Sequence, residues 1–297
     1  MRILFVTSNR VGDAVLSTGL LDHLIRTYPD SRITVACGTV AEGVFARMPN
    51  LERLLPLEKR PYGRHWLGLW AATVGTVWDL VIDIRASALS YLVPTRRRAV
   101  MRKRPGHKTA QLAALLELDP PPLPVAWTAP EDRARAAALL PPGSPVIALA
   151  PTANWEGKVW PAERFVELYR ALAAGMLPGA RAAVFAGPGA QERALAAPVL
   201  AALPQAIDLC GALTLPEAAA CLARCALFVG NDSGLMHLAA AAGAPTLGLF
   251  GPTQTAEYAP AGRRTAVAVA PSGRIAGLSV ADTLAAAYGL IAPALVA

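Results

Sequence analysis

Short runs of continuous apolar residues, each followed by enough chain for a helix, recur along the whole sequence. In the first half they are Arg2–Thr7, Arg32–Ala36 and Leu80–Ile84. In the second half they are Val146–Ala150, Arg181–Ala186, Leu227–Gly230 and Thr246–Phe250. A strand with one wet face alternates apolar and polar residues, whereas these do not alternate. They read as strands buried on both faces, which is the signature of parallel sheets covered by helices on either side. Helical segments stand between them: Asp13–Thr27, Val40–Met48, Thr109–Leu118, Glu131–Leu140, Pro161–Ala174, Gln191–Ala202, Leu215–Cys225 and Gly234–Ala242.

The alternation runs, halts and restarts. A Pro-rich stretch, Asp119-Pro-Pro-Pro-Leu-Pro124, reads as a semi-rigid connector. The sequence therefore predicts an α/β protein with two doubly wound, Rossmann-like parallel-sheet domains, residues 1–140 and 141–297, the last helix packing back on the first domain. Ligands of such sheets bind outside the carboxyl ends of the strands, and two facing units would offer a cleft between them. With 54% hydrophobic and only 16% charged residues, two real cores are attainable and disorder is excluded.

Cys37, Cys210, Cys221 and Cys225 form no CxxC pair, so they read as small buried hydrophobes in a reducing compartment, not as a metal site. The N-terminus reads as a strand without a signal peptide. No uninterrupted apolar run approaches the ~18 residues that span a bilayer. The tail after Asp282 is apolar but short, and it reads as a packed helix. The formal net charge is +7, and six of those charges sit together in Arg96, Arg97, Arg98, Arg102, Lys103 and Arg104. The basic character is thus a property of one site.

Five segments could carry chemistry. Asn9-Arg-Val-Gly-Asp13 joins the first strand to the first helix; Gly12 permits close backbone approach. Asp13 is either an N-cap or a carboxylate placed to take a proton from a hydroxyl. Pro151-Thr-Ala-Asn-Trp-Glu-Gly-Lys-Val-Trp-Pro161 follows a buried strand. Thr152 offers a hydroxyl and Lys158 a point charge suited to phosphate, although the Walker A pattern is absent. Asn231-Asp-Ser-Gly-Leu-Met-His237 is a polar turn opening a small-residue helix at Gly234, and such a turn favours an anion. Asp232 is an unexpected neighbour for a phosphate. His237, one turn into the helix, either has a structural role or reaches the same ligand. Ala186-Gly-Pro-Gly-Ala-Gln-Glu192 lacks GxGxxG, so a dinucleotide cofactor is disfavoured, while Gln191 or Glu192 could meet a ribose or base. The basic run 96–104 is a solvated face, a nucleic-acid contact without an aromatic platform, or a contact to an anionic acceptor at a membrane surface.

The segment Asn231-Asp-Ser-Gly-Leu-Met-His237 with its continuation to Gly251-Pro-Thr253 resembles glycosyltransferase family 9, the ADP-heptose:lipopolysaccharide heptosyltransferases. Gly12-Asp13, Thr109-Ala-Gln-Leu-Ala113 and Lys158-Val-Trp-Pro161 stand in the family's order. The resemblance implies a GT-B architecture with the acceptor side first and the nucleotide-sugar side second. It also implies inversion at the anomeric carbon, with no metal or cofactor beyond the co-substrate ADP-heptose. Carried over by position, it makes Asp13 the general base. Thr152, Lys158, Glu192, Asp232, Ser233, Gly234 and His237 would then contact the donor. Gly12 and Arg96, Arg97 and Arg98 would lie toward an anionic glycolipid acceptor. It implies a cytoplasmic enzyme peripheral to the inner membrane, with no nucleic-acid partner. Asn9-Arg-Val replaces the small-residue loop usual before the Gly-Asp pair, and the acceptor half is short for the family. Two other enzymes share these features: a transferase using another nucleotide sugar or acceptor, and a GT-B-type nucleotide-sugar epimerase. A binder of anionic glycolipid or nucleic acid is the non-enzymatic alternative.

Overall fold

The computed structural model of the chain describes residues 1–58 and 61–295. By internal contacts the chain divides into a first unit, Met1–Trp127, and a second that begins at Thr128. The first unit runs β1 (Arg2–Val6), α1 (Val11–Thr27), β2 (Arg32–Cys37), α2 (Glu42–Phe45), β3 (Leu51–Pro56), α3 (Arg64–Thr73), β4 (Trp78–Asp83), α4 (Leu89–Leu92), β5 (Thr95–Val100) and α5 (Lys108–Ala113). Its strands form one sheet in the order β3-β2-β1-β4-β5, and every pairing is parallel. The chain order reverses beside β1, so the loop after β1 lies at a topological switch point of the sheet, where doubly wound sheets place ligands.

The second unit runs α6 (Pro130–Leu139), β6 (Val146–Ala150), α7 (Ala162–Ala174), β7 (Arg181–Val184), α8 (Ala190–Ala202), β8 (Ile207–Asp208), α9 (Leu215–Leu222), β9 (Leu227–Asn231), α10 (Gly234–Ala241), β10 (Thr246–Phe250), α11 (Thr255–Tyr258), β11 (Thr265–Val269) and α12 (Val280–Leu295). Its strands lie in the order β11-β10-β9-β6-β7-β8, again all parallel. Here the switch lies between β6 and β9, whose following loops carry Lys158 and the turn Asp232–Ser233. The central strands are buried at every residue, as their continuous apolar runs require.

Several expectations shift. The helix at 130–139 packs against α9, and Arg224 Nε donates to the Leu140 carbonyl at 2.9 Å. The second unit therefore starts ahead of residue 141. Helix α12 packs on α7, β10 and β11 of its own unit, burying Ala287 and Ile291. The Pro-rich stretch, read as a semi-rigid connector, is held against the first unit. The Val125 amide donates to Thr18 Oγ1 at 2.9 Å, and the Pro122 and Leu123 carbonyls press on α1 at Gly19, where a Cβ would lie 2.6 Å from both oxygens.

Leu51–Pro56 is an exposed edge strand. Only Glu42–Phe45 of the segment 40–48 is α-helical. The basic run opens as β5, the other edge of that sheet. Three consecutive arginines on an edge discourage pairing with another sheet. All four cysteines are free. Burial pushes the Cys37 and Cys225 thiols up to about 12, so they are neutral apolar fillers.

Candidate active site

In the first unit the candidate site is the loop between β1 and α1. The N-cap of α1 is Arg10, which makes no side-chain capping bond. Asp13 therefore stands in the first helical turn, and it is not spent as the cap. Its carboxylate accepts one hydrogen bond, from Ser8 Oγ at 3.2 Å, and that same Ser8 Oγ accepts from the Arg10 amide at 3.2 Å. Gly12 and Asp13 are both half-buried.

The loop is held from two sides. Arg85 Nη1 donates to Asn9 Oδ1 at 2.7 Å, while its guanidinium lies 5.0 Å from the ring centroid of Trp66. Arg85 is in turn fixed by Asp83, a fully buried carboxylate at the end of β4. Asp83 accepts from the amides of Arg85 and Ser87, each at 2.9 Å, and from Ser87 Oγ at 2.5 Å. Burial pushes the Asp83 carboxyl above its ordinary range, and these hydrogen bonds pull it back down. On the other side, Gly38 follows β2. A Cβ there would fall 2.6 Å from Asn9 Cα, though its φ of −68° suits any residue. Gly38→Ala must displace the backbone that carries Asp13. A stability loss of about 1–3 kcal/mol is expected, with a matching fall in kcat; unchanged melting and turnover would show the loop is not pinned there.

The basic run divides between the two faces of β5 and the loop after it. Strand alternation sends Arg96 and Arg98 to one face of β5 and Arg97 to the other. Arg96 pairs with Asp79 at 3.6 Å. Arg98 donates to the Ser90 carbonyl and lies 5.1 Å from the Tyr91 ring centroid. Beyond the end of β5 is an open pocket of ≈ 560 Å³ lined by Tyr91, Arg98, Arg102, Arg104 and Gln111 among others. Arg98 lines it; Arg96 and Arg97 do not.

In the second unit, two loops meet. Lys158 Nζ donates to Asp232 Oδ2 at 2.6 Å, with the side chains 23% and 8% exposed. The Trp160 amide donates to Asn231 Oδ1 at 3.1 Å. Lys158, nominated as a phosphate ligand, thus neutralises the carboxylate that looked out of place beside one. Ser233 is the N-cap of α10 without a side-chain capping bond. Its Oγ and the Asn231 Nδ2 are both buried with no hydrogen-bond partner among the described residues. Buried donors are ordinarily satisfied. Two left open at the start of an eight-residue helix, where Gly234 follows and the dipole is positive, are a ready anion cradle. Thr152 is 2% exposed at the head of the first loop, and His237 is buried one turn into α10.

Glu192 stands in the first turn of α8, after the neighbouring strand β7, where its Oε2 accepts from the Gly187 amide at 3.1 Å. Among the described residues no group of three or more His, Cys, Asp or Glu stands together as a metal site.

Asp83 and Arg85 escaped the sequence reading, while Asn9 and Asn231 stood in the segments it singled out but carried no role of their own. The visible signal for Asp83 was a carboxylate inside the apolar run Leu80–Ile84. That for Asn231 was its place as the polar last residue of a buried strand.

Comparison with known proteins places the fold. The lipooligosaccharide heptosyltransferase 2 of Haemophilus influenzae is 26% identical over 88% of this chain and 86% of its own length. A crystal structure of a family 9 glycosyl transferase from Veillonella parvula superposes with a TM-score of 0.84 at 22% identity, covering 98% of this chain and 97% of that one. The E. coli ADP-heptose LPS heptosyltransferase II gives 0.78 at 22%, over 99% and 100%. The two parallel-sheet units are thus those of the GT-B fold, as expected from the sequence. The family model for glycosyltransferase family 9 (heptosyltransferase) matches residues 78–282, and the chain therefore belongs to glycosyltransferase family 9 and is a glycosyltransferase.

Proposed function

We propose that this chain is an inverting heptosyltransferase that moves heptose from ADP-heptose to a lipopolysaccharide core acceptor without a metal. The carrying observation is the pair of buried, unpartnered donors, Asn231 Nδ2 and Ser233 Oγ, at the head of α10. They supply hydrogen bonds that a diphosphate accepts. The names of the Haemophilus and E. coli proteins, a heptosyltransferase 2 and an ADP-heptose LPS heptosyltransferase II, support the choice of sugar, nucleotide and acceptor.

In this reading the first domain serves the acceptor and the second the donor. Asp13 takes the proton of the acceptor hydroxyl as its oxygen attacks the anomeric carbon. The bond to the diphosphate breaks on the opposite face, and ADP departs with the electron pair. Lys158, the amides of Ser233–Gly234 and the dipole of α10 stabilise the charge growing on the leaving group. Thr152 and His237 line that pocket, Asp232 positions Lys158, and Glu192 meets the nucleoside once released from the Gly187 amide. Arg98, with Arg102 and Arg104 around the first unit's pocket, suits the phosphates or acidic sugars of an acceptor; Arg96 and Arg97 serve as a more distant field. The enzyme would work in the cytoplasm at the inner membrane, where such an acceptor is displayed. Retention of both a hydroxyl-activating carboxylate and a diphosphate cradle favours transfer over mere binding.

A thermal-shift panel of ADP-, UDP-, GDP- and CMP-linked sugars, with and without EDTA, tests the donor. The ADP sugar should give the largest rise in melting temperature, unchanged by EDTA. A larger rise with another nucleotide would reassign the donor, and loss of the effect in EDTA would end the metal-free mechanism.

A further inference from the structure

Helix α3 has no polar side chain from Trp66 to Ala72. A surface helix ordinarily turns a polar face to water, and one that is apolar all round is ordinarily buried. Leu69 and Thr73 of α3 do face the core. On its other side, however, Leu67 is 68% exposed and Trp70 is 40% exposed. Trp70 Nε1 donates to the Leu92 carbonyl at 3.1 Å, which ties α3 to α4. Tyr91 and Leu92 of α4 are themselves 64% and 62% exposed. Exposed apolar side chains thus gather where α3 meets α4, with Leu67 one turn before Trp70 and Tyr91 next to Leu92.

The segment that carries this face is strongly basic. Between Glu58 and Glu117 the sequence holds eleven Lys and Arg but only two acidic residues, Asp79 and Asp83. Asp83 is fully buried, and Asp79 pairs with Arg96. Arg64 stands one turn before Leu67, Arg98 lies against Tyr91, and Arg96 shares the face of Arg98. No helix among the described residues is long and apolar enough to cross a membrane. An apolar, aromatic-bearing patch rimmed by arginine has the chemistry of an interfacial contact, in which aromatic rings sit at headgroup level and cations meet lipid phosphates.

We propose that the α3–α4 face of the first unit seats on the surface of an anionic lipid bilayer, with Leu67, Trp70 and Leu92 entering the headgroup boundary and Arg64 and Arg96 meeting lipid phosphates. The proposal rests on the reading above that places the enzyme at the inner membrane, and it names the face that meets the lipid; vesicles free of any glycolipid acceptor separate its failure from that of the sugar-transfer reading.

The test is co-sedimentation of the full chain with phosphatidylcholine vesicles, with and without phosphatidylglycerol, in the absence of any glycolipid acceptor. Binding is expected to vesicles containing phosphatidylglycerol, to fall as salt is raised, and to be weak on phosphatidylcholine alone. The double variant L67S/L92S changes two exposed side chains and should lower the apparent affinity at least about tenfold with its circular dichroism unchanged. R64S/R96S should also weaken binding and flatten its salt dependence, a second readout that does not touch the apolar patch. Absence of wild-type binding to the anionic vesicles, or equal binding by both variants, would overturn the proposal. So would a wild-type dimer that L67S/L92S turns into a monomer without any vesicle binding, since a second copy would then be what covers the face.

Discussion

Asp13→Asn is expected to cut sugar transfer by about 10²–10⁴-fold, the range a positioned general base contributes, while leaving ADP affinity unchanged. Asparagine keeps the shape and can still accept from Ser8 Oγ, the side-chain hydrogen bond made to the Asp13 carboxylate among the described residues. What it loses is the capacity to take a proton. The N-cap of α1 is Arg10 and not Asp13, so loss of helix capping offers no competing explanation for a dead variant. The measurements are kcat with ADP-heptose and a core acceptor, ADP titration by calorimetry, and thermal melting. A variant that turns over normally would remove Asp13 from the chemistry. One that loses ADP binding in parallel would assign it to the donor instead. Arg85→Ala is the informative companion, because Arg85 touches Asn9 and Trp66 and not Asp13. If the loop needs its brace, R85A lowers kcat partially and D13N leaves nothing further for it to remove.

The fold was legible where burial writes itself into composition. Strands β1, β6, β9 and β10 are wrapped on both faces, so their sequences are nearly unbroken apolar runs, and the parallel two-sheet organisation follows from them. The edges were not legible for the same reason. In β5 the residues Thr-Arg-Arg-Arg-Ala-Val have no apolar run because that edge faces water. β11 is built from alternating alanine and valine that mimic an Ala-rich helix. Helix α3 hides its phase because both its faces are apolar. The family-specific turn at 231–237 was recognisable because a sharp strand-to-helix turn restricts residue type at each position. Pairings between distant loops leave no such mark. Lys158 and Asp232 are 74 residues apart, and each was a plausible ligand contact alone; only the fold makes them partners. The chain Asp83–Arg85–Asn9 was invisible for the same reason, although a carboxylate within a buried strand is unusual enough to prompt the question.

That pairing changes what Lys158→Ala should do. Alone, the substitution removes a cation and strands Asp232, 8% exposed, as an uncompensated negative charge beside the diphosphate cradle. Loss of a charge-assisted contact costs about 1.5–3 kcal/mol, or about 10- to 150-fold in the ADP dissociation constant, and repulsion from the stranded carboxylate pushes the effect toward the upper end. Asp232→Asn should act in the opposite direction. It frees the lysine for phosphate at the cost of its orientation, so ADP binds as well or more tightly while transfer of the sugar slows. The double variant K158A/D232N separates the two contributions, since neighbouring charges are where additivity fails. Partial recovery relative to K158A is the expected outcome, measured by ADP calorimetry at low and high salt. Full recovery to wild-type affinity would make Lys158 only a counterion of Asp232 and take it out of the phosphate site. No recovery would mean that Asp232 is too distant from the bound diphosphate for its charge to be felt, and Lys158 would carry the contact by itself.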